Sequence, residues 1–83
     1  MTGMRYYDDR EEEMRPLIAE LATLVTDDGA AEMLAYGEVQ LALEDYLAAA
    51  AQDRVPVPAD LIERVRAIGE DLVRPDLVIR QAA

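Results

Sequence analysis

The chain has 83 residues, with 18 acidic against 8 basic side chains, a formal charge of −10, and neither histidine nor cysteine. A chain this short buries only about 60–65% of its unfolded surface, and without cysteine no disulfide can brace it, so stability rests on side-chain packing. The charge opposes direct binding of nucleic acid or of an anionic membrane, whose phosphates would repel it, and favours a basic partner.

Turn residues divide the chain. Thr26-Asp27-Asp28-Gly29, Gly37, Val55-Pro56-Val57-Pro58 and Arg74-Pro75-Asp76 separate four predicted helices and a tail. The first helix is expected over Asp8 to Val25, after a polar segment spanning 1–13 in which the helix begins. Leu17, Ile18, Leu21, Leu24 and Val25 recur on one face of a 3.6-residue period. Asp8, Asp9, Glu11, Glu12 and Glu13 suit its N-terminus, where the helix dipole favours negative charge. Pro16 allows two readings: a kink in this helix, or a packed helix starting near Met14 with Pro16 in its first turn.

The second helix is expected over Asp28 to Tyr36, capped by Asp27 or Asp28 and ended by a left-handed Gly37. The third runs from Glu38 to Ala51, with Val39, Ala42, Leu43, Tyr46, Leu47 and Ala50 as its apolar stripe. The fourth is expected from Pro58 to Val73, with Leu61, Ile62, Val65, Ile68 and Leu72 inward and Val57 stapling its start. Residues 74–83 form a tail with one apolar patch, Leu77-Val78-Ile79. No strand-like alternation appears elsewhere. The fold class is all-α: a small antiparallel bundle of about four helices, one domain over 1–83. Its expected core is Leu21, Leu43, Leu47, Leu61, Val65 and Ile68.

Catalytic chemistry is poorly provided for. The chain lacks histidine, cysteine, lysine and serine, and its only aliphatic hydroxyls are Thr2, Thr23 and Thr26. The usual general base, thiolate nucleophile, Schiff-base amine and best zinc ligands are missing. A glycine-rich phosphate loop is missing too, and Asp27-Asp28-Gly29 lacks the alternating ligands of a calcium loop. A carrier protein bearing phosphopantetheine needs a serine. The expectation is a non-enzyme without a cofactor. No apolar run reaches the ~18–20 residues of a membrane span, and Met1 to Glu13 is too polar for a secretory signal. A cytoplasmic location is expected.

Charge is unevenly placed. Between Arg15 and Arg54 there is no basic residue, and eight carboxylates there give −8, whereas the chain from Arg54 onward has five arginines and five acids. A face of one sign steers an oppositely charged partner. The nominated partner-binding residues are Asp27, Asp28, Glu32, Glu38, Glu44 and Asp45, with Tyr36 as an aromatic anchor. Tyr46 lies on the apolar stripe and reads as core. Tyr6-Tyr7 reads either as a second contact or as a loosely packed terminus.

The segment Glu32-Met33-Leu34-Ala35-Tyr36-Gly37-Glu38-Val39-Gln40-Leu41-Ala42-Leu43-Glu44-Asp45-Tyr46-Leu47 resembles the centre of the MafI family of immunity proteins. There a short helix and a Gly-Glu step precede Leu-Ala-Leu-Glu and a hydrophobic stripe. The run Val55 to Val65 with Ala67-Ile68-Gly69-Glu70 is similar to the family's proline-spaced linker and last helix. The resemblance covers roughly Leu21 to Leu72. The chain departs from it at Pro58, where a serine-like cap is expected, and in the acidic N-terminus with Pro16. The resemblance implies a protein that binds and neutralises a cognate bacterial toxin domain, plausibly a basic nuclease. It leaves open whether the inhibitor fills the active site or binds beside it. The alternative from another class is a structural or regulatory module that self-assembles as a homo-oligomer through its apolar tail.

Overall fold

The first helix, α1, spans Thr2–Ala22 in the computed structural model, which describes residues 2–81, with side chains from residue 10 onward. The Tyr6 and Tyr7 side chains therefore lie outside the described residues. At about 1.5 Å per residue α1 is about 31 Å long. It starts six residues before the expected Asp8 and stops three before Val25. Its first turn holds no acidic residue, so the run Asp8 to Glu13 does not complement the helix dipole as expected. Pro16 lies inside α1 and is exposed, which removes the reading in which it starts the helix. A ring nitrogen at this position leaves the Glu12 carbonyl without its helical donor. Glu12 is exposed as well, so water can serve that carbonyl. Burial begins at Met14 and continues through Leu17, Ile18 and Leu21.

The second helix, α2, spans Asp28–Ala35. Asp27 is its cap: the backbone is extended there, and Oδ1 accepts the Ala30 N–H at 2.9 Å. At the other end Tyr36 is the C-cap and Gly37 takes φ +83°. The Glu38 N–H donates to Met33 O at 2.9 Å and the Gly37 N–H to Leu34 O at 3.0 Å, the paired bonds of a Schellman turn. The third helix, α3, spans Val39–Gln52 and buries Val39, Ala42, Leu43, Tyr46, Leu47, Ala50 and Ala51. It ends in the same motif, with Arg54 at φ 55° in the glycine position, Val55 N–H donating to Ala50 O and Arg54 N–H to Ala51 O. Every stripe residue expected on α3 is buried, Tyr46 included.

The last third departs most from expectation. A two-residue strand, β1 (Val57–Pro58), leads into α4 (Ala59–Ile68), and a single 3₁₀ turn follows over Glu70–Leu72. Helix α4 thus stops five residues short of Val73. The break falls at Gly69, where a side chain would crowd its neighbours. A Cβ would come within 3.2 Å of Leu72 Cδ1 and 3.3 Å of Asp71 Oδ1. The turn folds Leu72 back into the core, where it is buried, while Ile68 is half-buried rather than central.

The tail then returns along β2 (Ile79–Arg80), parallel to β1, with Val57 opposite Ile79 and Pro58 opposite Arg80. The Val57 N–H donates to Val78 O at 2.8 Å. Helix α4 provides the crossover that parallel strands need, and Pro58, lacking an N–H, sits where a short edge tolerates it. Leu77 packs against the core, leaving Ile79 as the exposed part of the apolar tail patch.

One buried apolar cluster joins residues from α1, α2, α3, β1, α4 and the 3₁₀ turn. The chain is a small all-α domain of four helices with a minimal two-stranded sheet. Among the described residues no polar or charged side chain is buried, and no helix is long and apolar enough to cross a membrane. Fully burying a leucine of this cluster is worth about 1.5–3 kcal/mol. Met14 and Val57, absent from the expected core, are as deeply buried as Leu43.

Candidate partner-binding face

Helix phase decides which carboxylates of the acidic segment share a surface. Consecutive residues are turned by about 100°. On α2, burial falls on Ala30, with Met33 and Leu34 half-buried beside it. Asp28, Glu32 and Tyr36 follow one another at four-residue spacing on the opposite, exposed side. Tyr36 is 74% exposed. On α3 the buried stripe leaves Glu38, Leu41 and Asp45 outward at spacings of three and four. Glu38 is exposed and Asp45 half-exposed. The tight turn at Gly37 lies between the two stripes along the chain.

Two nominated residues do not belong with the others. Asp27 is half-buried and its carboxylate is committed to the α2 cap. Glu44 lies on the other flank of the α3 stripe, about 100° from Asp45. It accepts a bond from Gln40 Nε2 at 2.9 Å and lines a cleft of about 250 Å³ with Asp71, Leu72 and Arg74. Glu44 therefore stands at the opposite edge of the outward arc of α3 from Glu38 and Asp45, with Leu41 between them. Leu41 is the residue not nominated that the structure adds, at 47% exposure. Its signal was present in the sequence: an apolar residue out of phase with Val39, Ala42 and Leu43.

Four arginines are paired with carboxylates outside α2 and α3 among the described residues. Arg15 pairs with Glu12, Arg64 with Glu20 and Asp60, Arg66 with Glu63 and Glu70, and Arg74 with Asp76. Arg64 Nη2 donates to both Glu20 oxygens at 2.6 Å, tying α4 to α1. The hydrogen bond to Glu20 raises the Arg64 pKa above its ordinary value, against a smaller desolvation effect. Arg74 donates through Nε and Nη2 to the two Asp76 oxygens at 3.0 Å. Those bonds hold the Asp76 carboxyl below its usual range and raise Arg74. Among the described residues, no ion pair reaches a carboxylate of α2 or α3.

A second hollow, about 360 Å³, lies between α1 and α4, floored by Leu17 and Ile68 and rimmed by Glu13 and Arg64. Its rim charges are of opposite sign, and Arg64 is already held by Glu20, so it offers no field of one sign. Among the described residues no group of three or more carboxylates is placed to hold a metal ion. No family model, no curated protein and no solved structure matches the chain.

Proposed function

We propose that the chain is an immunity protein: a non-enzymatic inhibitor that binds a basic toxin domain through the outward faces of α2 and α3. One observation carries this reading. Asp28 and Glu32 lie on the outward face of α2 and Glu38 and Asp45 on that of α3, and among the described residues none of them is in an ion pair, while Arg15, Arg64, Arg66 and Arg74 are each paired with other carboxylates. Unpaired surface carboxylates repel one another, and a basic partner relieves that repulsion as it binds. A nuclease surface shaped to hold phosphates is such a partner, and an acidic inhibitor competes for it by charge. The resemblance of residues 32–47 to the centre of the MafI family supports the same class, and these are the residues that build most of this face.

Co-expression tests the proposal. A toxin domain encoded by a neighbouring reading frame, produced with this chain, should be tolerated by the cell and should co-purify with it. Reversing charge at Glu38 and Asp45 together should abolish protection while leaving the circular dichroism spectrum unchanged. Equal toxicity with and without the wild-type chain would remove the immunity reading.

A further inference from the structure

Three large apolar side chains are exposed among the described residues: Tyr36, Leu41 and Ile79. A single exposed leucine is ordinary on a protein surface. The placement of these three is informative. Tyr36 and Leu41 stand five residues apart on either side of the Gly37 turn, inside the segment that carries −8, and Ile79 belongs to the short sheet at the other end of the chain. Neither Tyr36 nor Leu41 contributes to the core. Leu41 points away from it between two residues, Val39 and Ala42, that are completely buried.

The turn that presents them is constrained. Tyr36 is the C-cap of α2, and its N–H donates to Glu32 O at 3.1 Å. Two Schellman bonds lock the chain from Met33 to Glu38, and Leu41 follows in the first turn of α3. Both side chains are thus offered on a pre-ordered backbone, which lowers the entropy lost on binding. Glu32 and Glu38 flank them directly, and Asp28 and Asp45 extend the acidic rim along each helix.

We infer that Tyr36 and Leu41 together form the apolar anchor of the contact, and that the partner presents an apolar recess ringed by arginine or lysine. This rests on the reading of the chain as an inhibitor of a basic protein. A partner recognised by charge alone would need no exposed leucine in the middle of the acidic face. Hot spots are commonly aromatic or large apolar groups at the centre of a contact, with polar groups at the rim. A tyrosine ring also accepts an arginine or lysine against its face. A second copy of this chain fits the corner poorly, because two acidic rims would meet.

The test is the binding kinetics of the proposed basic toxin domain, purified, with wild type, Tyr36→Ala, Leu41→Ala and Ile79→Ala. Sedimentation equilibrium of each free protein completes it. Tyr36→Ala and Leu41→Ala should each weaken binding by on the order of tenfold or more, through faster dissociation, with association within about twofold of wild type. Ile79→Ala should bind as wild type does, and all three should melt close to it. If wild type binds and Leu41→Ala binds equally well, the anchor is overturned and the charge-based reading survives. If wild type self-associates and Leu41→Ala is monomeric, the corner is a self-contact and the inference is overturned. If the toxin domain does not bind wild type at all, the functional reading itself falls, and this inference with it.

Discussion

Asp27 and Asp28 are adjacent carboxylates with different uses. Asp27 Oδ1 closes the first turn of α2 on the Ala30 N–H, whereas Asp28 projects from the helix into solvent. Composition treats the two alike; only the extended backbone at Asp27 separates them. Asp27→Ala should destabilise the fold by about 1 kcal/mol, the usual worth of a cap, and should leave the rate of association with a basic partner nearly unchanged. Urea denaturation and stopped-flow binding on the same variant would check both halves. Gly37 is the second residue whose role is local. A Cβ there meets nothing within 4 Å, so the cost of substitution comes from φ +83° alone. Gly37→Ala should cost about 1–2 kcal/mol in the same denaturation experiment. It should also weaken partner binding, since Tyr36 and Leu41 are presented from either side of this turn. Which nominated carboxylates share a face was only partly legible from spacing. Asp28 and Glu32, and Glu38 and Asp45, were placed correctly by helical phase. Glu44, six residues from Glu38 and so about 120° from it, falls at the opposite edge of the outward arc, with Leu41 between them.

Among the elements, α2 was legible from its Asp cap and its Gly stop, and α3 from an apolar stripe in uniform phase. The boundary of α4 was not. Leu61, Val65, Ile68 and Leu72 keep spacings of three and four across Gly69, so periodicity reads through the break. The 3₁₀ turn buries Leu72 from a different backbone path. The short sheet was invisible for another reason. Strands of two residues are too short to show alternation, and their pairing brings together positions 22 apart in sequence. Helix α1 makes a testable statement about Pro16, an exposed proline inside a continuous helix. Pro16→Ala restores a donor to the Glu12 carbonyl and should stabilise the protein by on the order of 1–3 kcal/mol. A lower urea midpoint would contradict this account of α1.

The returning tail carries the Arg74–Asp76 bond across its turn. Because the folded-state pKa of Asp76 is depressed, the bond's stabilisation is present above the ordinary carboxylate value of about 4. It is lost as pH falls through the lower folded value. Exposure and salt keep the effect small. Asp76→Asn should melt below wild type near neutral pH, and the gap should close in acid. A gap of the same size at pH 2 and pH 7 would show that Asp76 acts through something other than its charge.

At the scale of the molecule, the organising feature is charge segregation laid over one small core. The apolar cluster uses every helix and the short sheet, so the fold rests on buried leucines and valines, while Asp28, Glu32, Glu38 and Asp45 face outward. Arg64 and Arg66 of α4 and Arg74 of the tail are paired with neighbours and with Glu20. The faces of α2 and α3 are left negative. Electrostatic steering acts mainly on encounter, and salt screens it over about 8–10 Å near physiological ionic strength. The most direct measurement is the association rate with the proposed basic toxin domain at low and high salt, for wild type and for Glu38→Arg with Asp45→Arg. The wild-type rate should fall steeply, by tenfold or more, as salt rises. The charge-reversed protein should associate slowly at low salt and respond little or in the opposite sense. Equal rates for both proteins at both salt concentrations would contradict capture by this face and leave its carboxylates as a solvated surface.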